Sequence, residues 1–268
     1  MSTVILATSP ADAQAVEAVK NHHAQLAGAL AVQVETLVDA ADRGDVPGAG
    51  QASEALVTWC QAELIPHALA EEQAMYPAAH EDPRARLLVD AMLAEHRDLL
   101  ALIEAIRQAT GPVRAAVNAQ ALRSLFVSHL VKENELILPL LAESVEVSLA
   151  ELLGDMHELL GGHEPDESAG ENPEMAAEGG CGGVCGCGGQ DPDGVLPELD
   201  ARAVPHAIRH ATIFGALNSI GSGSGMVLVA PHDPLPLLAQ LEERSPGLFG
   251  VDYLERGPET WRLRFIRA

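Results

Sequence analysis

Aromatic and basic residues are both scarce in this sequence. Phe, Trp and Tyr make up 3% of the 268 residues, and 16 Lys and Arg stand against 39 Asp and Glu, which gives a formal net charge of −23. A chain this acidic repels the phosphates of nucleic acids and the headgroups of anionic membranes. No apolar segment reaches the ~18 residues that a membrane-spanning helix needs. We therefore expect neither nucleic acid nor a membrane among its partners.

We expect neither a secretion signal nor a disulfide framework. The first residues, MSTVILATSPADAQ, lack a basic region and contain only a short apolar run, unlike a secretory signal. Three of the four Cys are crowded into residues 181–187, which does not resemble the pattern of a secreted disulfide-bonded protein. These absences predict a cytoplasmic protein.

Alanine, leucine and valine supply much of the 47% hydrophobic content, and their three- and four-residue spacing predicts helices. Four long helices are expected at about residues 11–43, 51–79, 84–110 and from 112 past Pro139, with a short fifth helix over SLAELLGDMHELL. Helices of this length joined by short loops predict an all-α, up-down-up-down four-helix bundle.

The composition changes after the helices. Residues 161–195 are rich in Gly, Pro and acidic residues, which predicts a flexible acidic linker. Residues 196–268 alternate strand-like and helical segments in the order β-α-β-α-β-β, which predicts a small α/β sandwich with its own core. The predicted organisation is multidomain, with a helical domain at 1–160, the linker and the α/β domain.

A His, a Glu four residues on and a Pro six residues further occur twice, in the second and fourth predicted helices. The two copies are His67, Glu71, Pro77 and His129, Glu133, Pro139. Since positions i and i+4 share a helix face, each His points the same way as its Glu. Both pairs are flanked by apolar residues, and burying an unpaired carboxylate is costly. A metal ion would supply the opposite charge.

The first and third helices each offer one inward His. His96 and His23 are both followed three and seven residues on by apolar residues, so each heads an apolar stripe that faces the bundle interior. His22 is the alternative to His23, although it lies about 100° around the helix from that stripe.

Four imidazoles and two carboxylates are therefore expected to converge. The predicted metal ligands are His23, His67, Glu71, His96, His129 and Glu133. Any one of these His alone is more often a hydrogen-bonded core residue, but the conjunction favours a metal site. Six donors exceed the four of a tetrahedral zinc site and suit a pair of first-row transition ions with bridging carboxylates. Imidazole with carboxylate favours iron over manganese or zinc.

These six residues resemble those of the hemerythrin-like, or HHE cation-binding, family over roughly residues 11–145. The resemblance implies a four-helix bundle with a non-haem di-iron centre, in which two iron ions are bridged by carboxylates and by an oxo or hydroxo group. The family includes oxygen carriers, oxygen and redox sensors, an iron-sensing ubiquitin-ligase subunit and proteins that repair nitrosatively damaged iron centres. A small diatomic ligand or peroxide is the implied partner.

The sequence departs from that of the oxygen carriers. They have a second His four residues after the third-helix His, where this chain has Leu100, and their last carboxylate is an Asp one residue beyond the position of Glu133. One iron would therefore lack an imidazole unless water, Glu95 or His80 replaces it. An open coordination position favours sensing or reaction over reversible oxygen carriage.

Three residues near the His-Glu pairs carry weaker expectations. Glu72 and Glu135 are expected to face solvent. Tyr76, one turn beyond Glu71, is interpreted as a core residue, with a contact to the metal pocket as the alternative.

The C-terminal part resembles a bacterial domain of unknown function that often follows hemerythrin-like domains and has a SirA-like sulfur-carrier fold. LPELDARAVPHAIRHATIF, VLVAPHDPLPLL and YLERGPETWRLRF carry the resemblance. The sulfur carriers have a Cys at the head of the first helix, where this chain has Val204 and Pro205. Sulfur relay by that residue is therefore excluded.

The cysteines favour no single role. Cys181, Cys185 and Cys187 lie in the linker, where such thiols could transfer iron, hold a cluster, form a redox disulfide or do little. Cys60, in the second helix, is interpreted as a small core residue.

Two functional hypotheses follow. The first is a non-haem di-iron protein that senses or reacts with O₂, NO or peroxide in an oxidative or nitrosative stress response, and that signals to a protein partner through the C-terminal domain. The alternative is an iron storage, delivery or iron–sulfur repair module that uses the Cys-rich linker. A purely structural bundle is the third possibility. The sequence leaves open whether the chain is an enzyme.

Overall fold

The computed structural model of the chain describes residues 7–159, 196–204 and 209–268, with the backbone alone at 155–159. The predicted linker, with its three cysteines, lies outside these residues. The described part consists of a helical bundle and a small α/β domain, which confirms the predicted fold class.

Four long helices form the bundle. Helix α1 spans Pro10–Asp42, α2 residues 46–81, α3 Arg86–Arg107 and α4 residues 112–142, and the short α5 spans Leu149–Leu159. Both α2 and α4 contain π-helical turns between α-helical segments. The segments of α2 are Val46–Trp59, Cys60–Leu64, Ile65–Ala70, Glu71–Met75 and Tyr76–Glu81, and those of α4 are Pro112–Lys132, Glu133–Ile137 and Leu138–Ala142. Within the described ranges, no helix combines the length and the apolar composition that crossing a bilayer requires.

Helix α2 begins earlier than residue 51, where the sequence predicted its start. The Asp45 side chain accepts a hydrogen bond of 3.0 Å from the Gly48 backbone N–H. Pro47 in the first turn has no N–H that would need a partner. The cap and the proline together start the helix at Val46, although the glycines that follow are typical of a loop.

Two apolar clusters fill the bundle, one towards each end. The first contains fully buried side chains such as Leu30 and Leu122, and the second contains Met75 and Met92. Cys60 is completely buried in the first cluster, and burial raises the pKa of its thiol to about 12. The prediction that Cys60 is a core residue is therefore confirmed.

The α/β domain contains a four-stranded sheet covered by two helices. Its elements are β1 Glu198–Asp200, α6 Arg209–Asn218, β2 Gly225–Ala230, α7 Leu235–Arg244, β3 Phe249–Glu255 and β4 Trp261–Arg267. The strand order is β1-β2-β4-β3, with β1 parallel to β2 and the other neighbours antiparallel. Leu228, Leu263 and Phe265 of the sheet pack with Phe214 of α6 and Leu237 of α7.

Helix α6 lies between the sheet and α1 of the bundle. Gly28 and Gly215 meet where the two helices cross, and a Cβ atom at Gly28 would lie 2.0 Å from the backbone oxygen of Thr212. Only glycine permits backbones to approach this closely. Ala31, one turn further along α1, belongs to the apolar core of the α/β domain. The α/β domain is thus docked directly on α1.

Candidate metal centre

A layer of buried polar side chains crosses the bundle between its two apolar clusters. Its members are His23 of α1, His67 and Glu71 of α2, His96 of α3, and His129 and Glu133 of α4. None of them is more than 3% exposed. The structure therefore brings all six predicted ligands together, although they come from four different helices.

His23 and His67 form what we call the first half-site. Glu71 Oε1 lies 3.2 Å from His23 Nε2 and 2.8 Å from His67 Nε2. Glu133 Oε2 approaches from the other side, 3.7 Å from His23 Nε2. One donor atom from each of His23, His67 and Glu71 lies within 4.8 Å of the other two, a spacing that could hold one ion.

His96 and His129 form the second half-site, with their Nε2 atoms 3.0 Å apart. Glu71 Oε2 lies 3.6 Å from His96 Nε2, and Glu133 Oε1 lies 3.7 Å from His129 Nε2. The Tyr76 hydroxyl is 3.4 Å from His96 Nε2 and 3.1 Å from His129 Nε2, and it donates a hydrogen bond of 2.6 Å to Glu133 Oε1. Each carboxylate therefore presents one oxygen to each half-site.

The two carboxylates have opposite pKa shifts. Burial alone would raise the pKa of Glu71, but His67, His23 and His96 outweigh it and lower that pKa well below its usual range. Burial, followed by the charge of Glu71, raises the pKa of Glu133 to about 8. Two buried carboxylates this close do not both ionise readily without a cation between them. A bound cation would remove that conflict.

Several buried polar atoms of the layer have no hydrogen-bond partner among the described residues: His67 Nδ1, His67 Nε2 and Glu133 Oε2. His67 Nε2 is close to Glu71 Oε1 but is poorly oriented for a hydrogen bond. Buried polar atoms without partners are rare, because leaving them unpaired costs free energy. His67 Nε2 and Glu133 Oε2 both belong to the donor set, so the residues present fit a bound metal.

Three of the four imidazoles are hydrogen-bonded through the nitrogen that faces away from the centre. The pairs are His23 Nδ1 with Asn134 Oδ1 at 2.9 Å, His96 Nδ1 with Glu72 Oε1 at 2.8 Å, and His129 Nδ1 with Glu95 Oε2 at 3.0 Å. Because amide and carboxylate oxygens only accept, Nδ1 carries the proton in each pair. In the neutral form of each imidazole, the nitrogen without a proton is then Nε2, which faces the centre as metal ligation requires.

Two residues that the sequence left outside the centre belong to it. Glu72 was expected to face solvent, but it accepts the hydrogen bond from His96 Nδ1. Tyr76 is a core residue as expected, 2% exposed in the second apolar cluster, and its hydroxyl also reaches the donor atoms, which was the alternative interpretation. The i+4 rule for helix faces could not find Tyr76, because it lies five residues after Glu71.

Neither Glu95 nor His80, which the sequence offered as replacements for the missing third-helix imidazole, faces the centre. Leu100 is 44% exposed and offers no donor atom. Glu95 contacts the outer side of His129, and His80 lies near the surface, 3.5 Å from Asp90. The Tyr76 hydroxyl is the group that stands beside the second half-site.

His23, and not His22, points between the carboxylates. His23 is fully buried, whereas the partly exposed His22 ring packs edge-on against the His67 ring, with 4.9 Å between ring centroids. The geometry therefore favours His23 as the donor from α1.

A family model for the Hemerythrin HHE cation binding domain matches residues 14–141, the span that contains all six donors. The bundle is a hemerythrin HHE cation-binding domain. With its His and Glu cluster, this hemerythrin domain is a metal-binding domain. A second model, for an uncharacterised conserved protein (DUF2249), matches residues 198–267, which form the α/β domain. No curated protein and no solved structure matches the chain.

The hemerythrin domain has a π-helical turn at each of its two carboxylates, and the repeated prolines explain why. Glu71 and Glu133 each begin such a turn, and the residue before Pro77 or Pro139 donates its N–H to the carbonyl five residues back. Proline has no N–H, and its ring would clash with the carbonyl four residues back in a regular helix. The wider turn accommodates the ring without breaking the helix.

The π turn also places Tyr76 beside the donors. Its N–H bonds to the Glu71 carbonyl, so five residues here cover the turn that four cover in an α-helix. Tyr76 therefore lies one turn from Glu71 on the same inward face. In an uninterrupted α-helix it would lie about 140° away.

We expect the Pro77→Ala substitution to weaken metal binding while preserving the helix. Alanine restores an N–H that can bond to the carbonyl four residues back, which favours an α-helical register and turns Tyr76 away from the centre. The expected loss of affinity is about tenfold, and titration of the metal-free protein would measure it. Pro112→Ala, in the first turn of α4, is the matched control and should change little. Unchanged affinity in Pro77→Ala would show that the π turn does not depend on the proline.

Proposed function

We propose that the hemerythrin domain binds two iron ions, one at each half-site, and that Glu71 and Glu133 bridge them. His23 and His67 would be the terminal ligands of the first ion, and His96 and His129 those of the second. The observation that carries this proposal is the position of Glu71, whose two oxygens face different pairs of imidazoles. This position would allow one carboxylate to serve both ions.

Iron is favoured over other first-row ions by the donor set, which combines imidazole, carboxylate and phenol and contains no thiolate among the described residues. When bound, iron would supply one-electron redox chemistry and positions for small ligands such as O₂, NO or peroxide. We propose that the protein senses or reacts with one of these molecules. The chain supplies a buried site between two apolar clusters, oriented imidazoles and the phenolic proton of Tyr76.

The alternative function is iron storage, delivery or iron–sulfur repair, and the observation that favours it is the linker thiol trio in the sequence. A protein partner for the α/β domain is part of both proposals. Its docking on α1, the helix that carries His23, supports that idea because movement of α1 would reach the α/β domain directly. A cytoplasmic location and the lack of nucleic-acid binding stay predictions from the sequence.

Iron loading of the metal-free protein tests the proposed function. Anaerobic addition of Fe²⁺ should saturate at two ions per chain, and the optical spectrum of the loaded protein should change on exposure to O₂, NO or peroxide. Binding of a single ion, or of none, would contradict the di-iron proposal. The alternative would be favoured if the spectrum of the iron-loaded protein did not change with any of the three molecules and the protein transferred iron to a metal-free iron–sulfur protein.

We expect Tyr76→Phe to weaken the second half-site selectively. The substitution removes the phenol oxygen and leaves Glu133 Oε1 without its 2.6 Å hydrogen bond. Affinity for the second ion should fall about 10- to 100-fold, and the metal-free protein should lose about 1–3 kcal/mol of unfolding free energy. Metal titration and denaturant unfolding measure the two effects.

Tyr253→Phe is the matched control for this experiment. It removes a similar hydrogen bond, of 2.8 Å to Asp233, in the α/β domain. Its metal affinity should equal that of the wild type. If Tyr76→Phe also bound both ions with wild-type affinity, the phenol would have no role at the centre.

A further inference from the structure

The Nδ1 atoms of the four imidazoles, which face away from the centre, differ in their hydrogen-bond partners. At the second half-site, His96 and His129 each donate to a carboxylate, from Glu72 and Glu95 respectively. A carboxylate that accepts from Nδ1 makes the imidazole a stronger donor at Nε2 and fixes the orientation of its ring. Both imidazoles of the second half-site are therefore oriented before a metal arrives.

The second half-site has further support around this pair. Lys132 forms an ion pair with Glu95, which keeps that carboxylate in place beside His129. The Tyr76 hydroxyl adds an oxygen within 3.4 Å of both imidazoles. The second half-site thus combines two imidazoles that are hydrogen-bonded to carboxylates with the hydroxyl of Tyr76.

The first half-site has much weaker support. His23 donates to a neutral amide, that of Asn134, and not to a carboxylate. His67 Nδ1 is buried and has no partner among the described residues. The His67 ring makes T-shaped contacts with the rings of His22, at 4.9 Å, and His23, at 5.1 Å between centroids. Apart from the 2.8 Å contact of its Nε2 with Glu71 Oε1, the orientation of His67 is therefore set by packing alone.

We propose that the two half-sites bind metal unequally: the second holds its ion tightly, and the first is the exchangeable site through which an ion enters and leaves by movement of His67. This inference rests on the proposed function and specifies which ion is mobile. Outer-sphere partners of metal-bound imidazoles typically contribute 10- to 100-fold in affinity. The second half-site should therefore bind about tenfold or more tightly than the first.

Equilibrium titration of the metal-free chain with Co²⁺, whose absorption reports its ligands, tests the inference without any reaction. The wild type should bind one ion tightly and one weakly. His67→Ala should abolish the weak phase and leave the tight one. Glu95→Gln should weaken the tight phase 10- to 100-fold. Asp98→Asn, an exposed acid on the same helix as Glu95, is the matched control and should behave like the wild type.

The outcomes separate this inference from the proposed function. Two ions bound with equal affinity in the wild type would overturn the inference but leave the di-metal proposal intact. The same conclusion would follow if His67→Ala lost the tightly bound ion and kept the weakly bound one. A folded wild type that binds no metal would overturn both. Should His67→Ala fail to fold, Glu95→Gln decides: a selective loss of the tight phase supports the inference, and no loss contradicts it.

Discussion

Replacing Glu71 with glutamine is expected to abolish binding of both metal ions, the largest effect of any single substitution at this centre. Glutamine keeps the size of the side chain but removes its charge, and one of its two oxygens becomes an amide nitrogen that can only donate. Since Glu71 faces the imidazoles of both half-sites, neither half-site would keep its ligand set. We expect the affinity for each ion to fall more than about 100-fold.

The metal-free protein should tolerate this change. The change removes a charge that His67, His23 and His96 stabilise, but Glu71 is also a main cause of the raised pKa of Glu133, second only to burial. The relieved repulsion between the two carboxylates offsets the lost contacts with the imidazoles. Folding should therefore persist while metal binding is lost. Added metal at 100 times the Kd should raise the unfolding free energy of the wild type by about 2.7 kcal/mol, and its melting temperature with it. The melting temperature of Glu71→Gln should not change.

A matched control is available in the second copy of the repeat. Glu135, two residues beyond Glu133 on α4, is exposed to solvent. Glu135→Gln therefore removes one carboxylate near the centre without changing any of its donors. It should bind metal like the wild type. If Glu71→Gln kept even one ion at wild-type affinity, Glu71 would not be a ligand of that ion, and its proposed bridging role would have to be abandoned.

Helix positions and inward faces could be predicted from the sequence because each depends on short-range periodicity. His23 and His96 head apolar stripes, and the i+4 spacing places His67 with Glu71 on one face. The structure confirms the bundle, and it places the β-α-β-α-β-β elements of the α/β domain as the sequence order predicts. These features need no knowledge of how distant segments pack.

Tyr76 and Glu72 could not be placed from periodicity alone. Tyr76 reaches the centre because a π turn shifts the helix register, and period-3.6 reasoning assumes that no such turn occurs. The sequence does hold a signal, since a proline follows each of the two His-Glu pairs at the same spacing. Glu72 meets His96 across two helices, so its role depends on tertiary packing. The contact between α1 and the α/β domain likewise depends on tertiary packing, since sequence gives no sign that Gly28 faces Gly215.

Replacing Gly28 with valine is expected to detach the α/β domain from the bundle. A Cβ atom at position 28 would lie 2.0 Å from the Thr212 backbone oxygen and 2.5 Å from the Ala216 backbone nitrogen. Both contacts are with backbone atoms, so no side-chain rearrangement can relieve them and α6 must move away from α1. The lost packing and exposed core surface should cost about 3 kcal/mol or more.

Hydrogen exchange and unfolding would report this separation, and metal binding would show whether it is confined to the interface. In Gly28→Val, amides of α6 should exchange faster and the α/β domain should unfold apart from the bundle, while the metal affinity stays near that of the wild type because His23 faces the bundle interior. Gly50→Val is the matched control, since a Cβ at Gly50 of α2 meets nothing within 4 Å. Wild-type protection of α6 in Gly28→Val would show that the two domains do not meet at this crossing. A loss of metal affinity on undocking would instead show that the α/β domain holds α1, and with it His23, in position for the first ion.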